Sequence, residues 1–248
     1  MLQNFESLVL IWLGIGFITF ITLLKIPAPY GKFSKTNWGP MIPSKLGWIV
    51  MEIISPLALL YFFLNGNIEK TPTNITFMSL WTLHYFNRSV IYPLRQNNPA
   101  QMPLLIAVLA FLFNVMNGYI NGTYFGSIQE YSAEYMSNWN FIVGVCLFII
   151  GAYINIKSDN ILLSLRSKSG EYKIPEGFMF RYVSFPNYLG EILEWMAFAI
   201  MTWSLAGLSF MIWTMANLVP RAIKGHQWYH SKFESYPKNR KAIFPFII

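Results

Sequence analysis

The stretch from Leu189 to Val219, LGEILEWMAFAIMTWSLAGLSFMIWTMANLV, decides how this chain folds. Glu191 and Glu194 lie near its start, and from Trp195 to Val219 it carries no charge. As one helix its 31 residues would extend about 46 Å, longer than a hydrocarbon core of about 30 Å even with ordinary tilt. Ser204 to Gly207 offers a place to turn, so the stretch is read as two membrane-spanning helices. Upstream lie five more apolar runs: Leu8 to Leu24, Leu46 to Leu64 broken only by Glu52, Asn74 to Tyr92, Pro103 to Ile120 and Phe141 to Ile156. Each approaches the roughly 20 residues that cross a bilayer. The expected fold is therefore all-α, a polytopic membrane protein with seven transmembrane helices in one domain, residues 1–248. Leu8 to Leu24 is preceded by no basic segment and has no small-residue cleavage site, so it reads as a retained helix and not a removed signal.

Composition points the same way. Hydrophobic residues make up 54% of the chain and charged ones 12%, against about 25% charged in a soluble domain, and the mean hydropathy is +0.40. So few charges cannot cover a soluble surface of this size. Disorder is excluded as well, and the single Cys146 excludes an internal disulfide, a CxxC redox site and a Cys-based zinc site.

The cations test the division into helices. Lys25, Lys32, Lys35 and Lys45 flank the first connection, Arg88 and Arg95 the third, and Lys157, Arg166, Lys168, Lys173 and Arg181 the fifth. Arg221, Lys224, Lys232, Lys238, Arg240 and Lys241 form the C-terminal segment. With seven helices, 17 of the 18 cations fall on one side, which places the N-terminus outside and the C-terminus in the cytosol. Lys70 is the exception. The net charge of +7 then reports orientation among membrane lipids, and neither a nucleic-acid partner nor an obligate protein partner is expected.

Ionisable groups inside spans are expensive and usually face the bundle interior or a wet cavity. Glu52 lies about two turns into the second span. His84 and Tyr85 sit near the middle of the third, where a phenol beside a buried carboxylate can donate a hydrogen bond to a ligand oxygen. The competing reading of Glu52 is a structural carboxylate, and Arg88 reads either as a structural or interface residue or as part of the chemistry. In the fifth and sixth spans, Asn155 and Asp159 share one helical face, as do Asn187, Glu191 and Glu194 at i, i+4 and i+7. Arg166 lies about three turns beyond Asn155 if that helix continues. Two amide-plus-carboxylate faces ringed by Arg and Lys suit a polyhydroxylated, phosphorylated ligand. Helix-end salt bridges and a cation site for ion-coupled transport are the alternatives. No GxGxxG or GxxxxGK[ST] motif supports a Rossmann or P-loop site. His226 and His230 have metal-ligand spacing, but no nearby Glu completes HExxH, and no metal is expected.

These residues fall within a longer series of ordered motifs: Ala28-Pro-Tyr-Gly-Lys32, Gly39-Pro-Met-Ile-Pro43, His84-Tyr-Phe-Asn-Arg88, Asn117-Gly118, Asn155-Ile-Lys-Ser-Asp159, Tyr172-Lys-Ile-Pro-Glu-Gly177, Tyr182-Val-Ser, Asn187-Tyr-Leu-Gly-Glu-Ile-Leu-Glu-Trp195 and Phe233-Glu-Ser-Tyr-Pro-Lys-Asn-Arg-Lys241 before Pro245-Phe246. Over nearly its whole length the chain resembles the membrane steroid 5α-reductases, especially the animal type 1 and type 2 enzymes. The resemblance implies a seven-helix enzyme that transfers hydride from NADPH to C5 of a 3-oxo-4-ene steroid. It implies that Tyr85 donates a hydrogen bond or proton to the C3 carbonyl oxygen and that Glu52 holds the same oxygen or orients Tyr85. It assigns Asn155, Asp159, Arg166, Tyr172, Asn187, Glu191, Arg221 and Tyr229 to NADPH, and Trp195 to the steroid pocket.

The chain departs from that pattern at three places. Met51 stands where the family usually has Gln, Leu109 where the type 2 enzyme has Arg, and Lys224-Gly-His-Gln227 where the animal enzymes have a run of His. A membrane reductase of another conjugated alkene, such as a polyprenol or enoyl thioester, is a second reading, and an ion-coupled transporter or lipid-binding protein a third. The expected membrane is a bacterial inner membrane, or the endoplasmic reticulum in a eukaryote.

Overall fold

A computed structural model describes residues 2–96, 100–165 and 172–248. Its helices in chain order are α1 (Leu2–Lys25), α2 (Ser44–Leu64), α3 (Pro72–Phe86), the short α4 (Tyr92–Leu94), α5 (Leu104–Thr123), α6 (Trp139–Leu165), α7 (Pro186–Thr202) and α8 (Leu205–Lys232). The fold is helical, as expected. One short antiparallel pair, β1 (Met41–Pro43) with β2 (Gln101–Pro103), was not foreseen. The turn expected near Ser204 is present. Trp203 adopts the left-handed conformation at φ 47°, and the Ser204 hydroxyl caps α8 by accepting from the Gly207 N–H at 3.0 Å.

Among the described residues, α1, α2, α6 and the continuous Leu104–Ile128 are long and apolar enough to cross a membrane. The other three expected spans are helical but differ in form. α3 has 15 residues, continued by a π-helical turn at Asn87–Ile91 that leads into α4. α7 has 17 residues. α8 does not stop at Val219 but runs on to Lys232, carrying Pro220 inside it and cations along its last turns.

The chain forms two compact units. The first holds Ala28–Ile142 and the start of α1 up to Val9. Its main contact is α2 against α5, and small residues make it close. A Cβ at Gly122 would stand 2.5 Å from the Leu59 carbonyl oxygen, and one at Gly118 would stand 2.6 Å from the Ala58 Cβ. Thr71 caps α3, with Pro72 at its first position. Lys70, the cation that breaks the charge asymmetry, donates its Nζ to the carbonyls of Gly66 and Ile68 at 2.8 and 2.6 Å. It is therefore occupied in closing the C-terminal end of α2, where a positive charge is favourable.

The second unit holds Leu10–Pro27 and Val143–Ile248. α6 and α7 run antiparallel at backbone contact. Gly144 meets Ala197 and Met201, Gly151 meets Glu194, and Gly190 meets Asn155, where an added Cβ would lie 2.5 Å from the Asn155 nitrogen. An aromatic core of Phe185, Tyr229 and Tyr236, with Ile192, Val219, Ala222 and Ile243, joins α7 and α8 to the C-terminal segment. That segment pairs with the chain entering α7, through Lys241 N–H to the Tyr182 carbonyl at 2.9 Å and Phe185 N–H to the Ala242 carbonyl at 3.1 Å.

Candidate active site

In the first unit, polar groups of three helices meet. Tyr85, the penultimate residue of α3, is buried. Its Oη donates to Asn114 Oδ1 on α5 at 3.4 Å, and Asn114 Nδ2 donates to the backbone carbonyl of Met51 on α2 at 2.6 Å. Trp81, a turn earlier on α3, stacks on the Tyr85 ring at 5.8 Å and donates its Nε1 to Ser55 Oγ at 3.1 Å. Met51 and Ser55 flank Glu52 on α2, so both ties bring Tyr85 to the turn that carries the carboxylate. Pro56, four residues beyond Glu52, has no N–H to contribute to the helix ladder there. His84 packs edge-on against Tyr85 at 5.2 Å. Arg88 lies on the π-helical turn, a form often found at functional sites, with its guanidinium 5.3 Å from the Trp48 ring and 5.4 Å from that of Tyr92.

In the second unit, the facing ends of α6 and α7 join their amide and carboxylate groups. Asn155 Nδ2 donates to the Asn187 carbonyl at 2.9 Å, and Asn187 Nδ2 donates to Asp159 Oδ1 at 3.0 Å. All three side chains are buried. Glu191 lies one turn beyond Asn187 on α7 and is half-buried. Arg221 on α8 donates its Nε to Tyr188 Oη at 3.1 Å, and Tyr188 stacks on Phe185 at 5.2 Å. Two buried oxygens here, Ser158 Oγ and Asn187 Oδ1, have no hydrogen-bond partner among the described residues. Buried polar atoms are rarely left so, and a polar ligand lying against them would satisfy both. The donor set of amides, carboxylates and a guanidinium fits a ribose, a carboxamide and phosphates.

Comparison with known proteins decides the family. The 3-oxo-5-alpha-steroid 4-dehydrogenase family matches residues 100–248. A Steroid 5-alpha-reductase DET2 of Solanum lycopersicum is 43% identical, covering 98% of this chain and 96% of its own. The 3-oxo-5-alpha-steroid 4-dehydrogenase 1 proteins of Rattus norvegicus and Homo sapiens are 37% and 34% identical, each over 94% of this chain and 91% and 92% of their own. The chain belongs to the 3-oxo-5-alpha-steroid 4-dehydrogenase family. It is a membrane oxidoreductase acting on a CH–CH bond, a reaction class served by a nicotinamide cofactor. The likeness is stronger to the plant protein than to the animal ones that the motifs suggested.

For a member of this family, the candidate residues take distinct places in the structure. Tyr85 is brought to the Glu52 turn, and Asn155, Asp159 and Asn187 are bonded together with Glu191 on the same helix as Asn187. Arg221 reaches α7 through Tyr188. Tyr229 is buried and stacked between Phe233 and Tyr236 at 6.1 and 5.1 Å, so its ring serves the core of the second unit. Tyr172 is exposed and touches Trp228 edge-on at 5.0 Å. Trp195 is buried among Phe148, Phe198 and Phe210. Arg166 lies outside the described residues. Sequence reasoning missed Asn114 and Tyr188. Asn114 could have been found as an amide inside the fourth apolar run, one turn before Asn117. It also missed the join of Ser184 Oγ to His226 Nδ1 and Tyr236 Oη, both at 2.6 Å.

Proposed function

We propose that this protein reduces the 4,5 double bond of 3-oxo-4-ene steroids with NADPH, residues 1–248 working as one reductase domain. The observation that carries this reading is the buried Tyr85 hydroxyl, held beside the Glu52 turn by Asn114 and Trp81. In such a steroid the C3 carbonyl is conjugated with the 4,5 double bond, so negative charge developing during reduction collects on the carbonyl oxygen. A fixed donor in a water-poor site stabilises that charge far better than bulk water does. Tyr85 donates a hydrogen bond or proton to the oxygen, and Glu52 holds the same oxygen or orients Tyr85. The enolate is then protonated at C4. NADPH, when bound, supplies the hydride that C5 receives.

Asn155, Asp159, Asn187 and Glu191 would hold the ribose and carboxamide groups. Arg221 and Arg166 would face phosphates, with Tyr172 and Tyr229 completing the set. A guanidinium beside the 2′-phosphate accounts for a preference for NADPH over NADH. Trp195 is proposed as a substrate contact. The membrane is the endoplasmic reticulum in a eukaryotic host and the inner membrane in a bacterial one, with seven spans and the C-terminus in the cytosol.

The test is to incubate purified protein with NADPH and a 4-ene-3-keto steroid and to look for the 5α-dihydro product. Wild type is expected to form it, and Tyr85→Phe and Glu52→Gln to lower kcat by about 100-fold or more, the scale of a lost acid or oxyanion donor. Absence of a reduced product from the steroid or any other enone would overturn the reading, as would full activity in both variants.

A further inference from the structure

We propose that Asn114 is a positioning residue for the reduction. Its amide ties the Tyr85 hydroxyl of α3 to the α2 backbone beside Glu52, so a residue of a third helix keeps the two groups that meet the substrate oxygen in register. This rests on the assignment of Tyr85 and Glu52 above. The geometry follows from chemistry at each end of the amide. The Met51 carbonyl can only accept, so the NH2 group of Asn114 faces it, at 2.6 Å. The amide oxygen is thereby turned to Tyr85 and accepts from its Oη, at 3.4 Å. The first bond is short and fixes the amide; the second is long and yields easily. Such an arrangement locates the phenol oxygen through a weak bond that a substrate carbonyl oxygen can replace. Asn114 is buried on α5, and Gly118 and Gly122 on the same helix lie against α2 at Ala58 and Leu59. The helix that carries the amide is therefore itself held at backbone distance from the helix that carries Glu52. Trp81, bonded to Ser55, fixes the other side of the Tyr85 ring. Position matters here because a donor displaced by about 1 Å loses a large part of its effect on a developing charge.

The experiment is a double-mutant cycle in the full-length protein, with NADPH and a 4-ene-3-keto steroid as probes. Asn114→Leu keeps the volume and removes both bonds. It is expected to lower kcat about tenfold, the scale of one hydrogen bond of roughly 1.4 kcal/mol, while the steroid KM and the NADPH dissociation constant stay within about twofold. In a Tyr85→Phe background the same substitution is expected to cost less than about twofold, because the hydroxyl it positions is gone. Asn114→Thr, which keeps an oxygen that can accept from Tyr85, is expected to recover part of the loss. A kcat within about twofold of wild type in Asn114→Leu would overturn the proposal. So would a tenfold loss that persists in the Tyr85→Phe background, since that is a general structural effect. If Tyr85→Phe itself retains full activity, the assignment of Tyr85 fails and not merely the role of Asn114. If Asn114→Leu does not fold, as judged by loss of NADPH binding, Asn114→Thr alone decides: equal losses with and without the Tyr85 hydroxyl would refute positioning.

Discussion

At the scale of single residues, the two polar clusters differ in what they are built to meet. The Tyr85 cluster holds one hydroxyl at a chosen place, whereas the Asn155, Asp159 and Asn187 cluster is a bonded chain in which the buried Asn187 Oδ1 has no partner among the described residues. Asn114 brings an amide from α5 to the backbone of Met51 on α2, next to Glu52. Asn187 links the second cluster: its side-chain N–H donates to Asp159, and its backbone carbonyl accepts from Asn155. Asn187→Leu is expected to raise the NADPH dissociation constant by about tenfold or more, the cost of losing one buried hydrogen bond to a carboxylate and one to the ligand. The steroid KM should change little. Quenching of tryptophan fluorescence by NADPH checks this, and an unchanged constant would remove Asn187 from the cofactor site.

At the scale of elements, glycines set how closely helices meet and therefore where the clusters can form. At Gly190 an added Cβ would sit 2.5 Å from the Asn155 nitrogen, so Gly190→Val must push α6 and α7 apart. A loss of about 2 kcal/mol or more is expected from such overpacking, together with weaker NADPH binding; thermal unfolding of the purified protein measures the first and fluorescence titration the second. The C-terminal segment is tied by Ser184, which bridges His226 and Tyr236. Burial, and after it the charges of His230, Arg240 and Lys241, lower the His226 pKa from 6.5 to about 4. Its neutral ring is therefore favoured in the folded protein. The stability this contributes is fully present above pH 6.5 and is lost as the pH falls towards 4. The unfolding midpoint is expected to drop across that range in wild type, and to drop less in His226→Gln. Parallel curves for the two proteins would contradict it.

At the scale of the whole molecule, much could be read in the sequence because apolar runs and charge are local properties. The seven apolar stretches are all helical, and the turn at Ser204 lies where the excessive length of Leu189 to Val219 required one. The i, i+4 spacing of Asn155 with Asp159 and of Asn187 with Glu191 marked two faces that do belong together. What could not be read depends on which helices touch. Nothing local says that Asn114 meets Met51 and Tyr85, that Trp195 is enclosed by Phe148 and Phe210, or that α8 continues past Pro220 because its far end packs on the C-terminal segment. The charge asymmetry makes a further prediction at this scale: a reporter fused after Ile248 is expected to be cytosolic and one fused before Met1 to be outside. Finding both ends on the same side would rule out seven spans. The most direct test of the central claim follows the transferred hydrogen. With NADPH carrying deuterium at the transferable position of its nicotinamide C4, a 4-ene-3-keto steroid and the wild-type protein, deuterium is predicted at C5 of the 5α-dihydro product, with the hydrogen at C4 drawn from solvent. Formation of no reduced steroid, or of a product whose C5 hydrogen comes from solvent, would contradict the account.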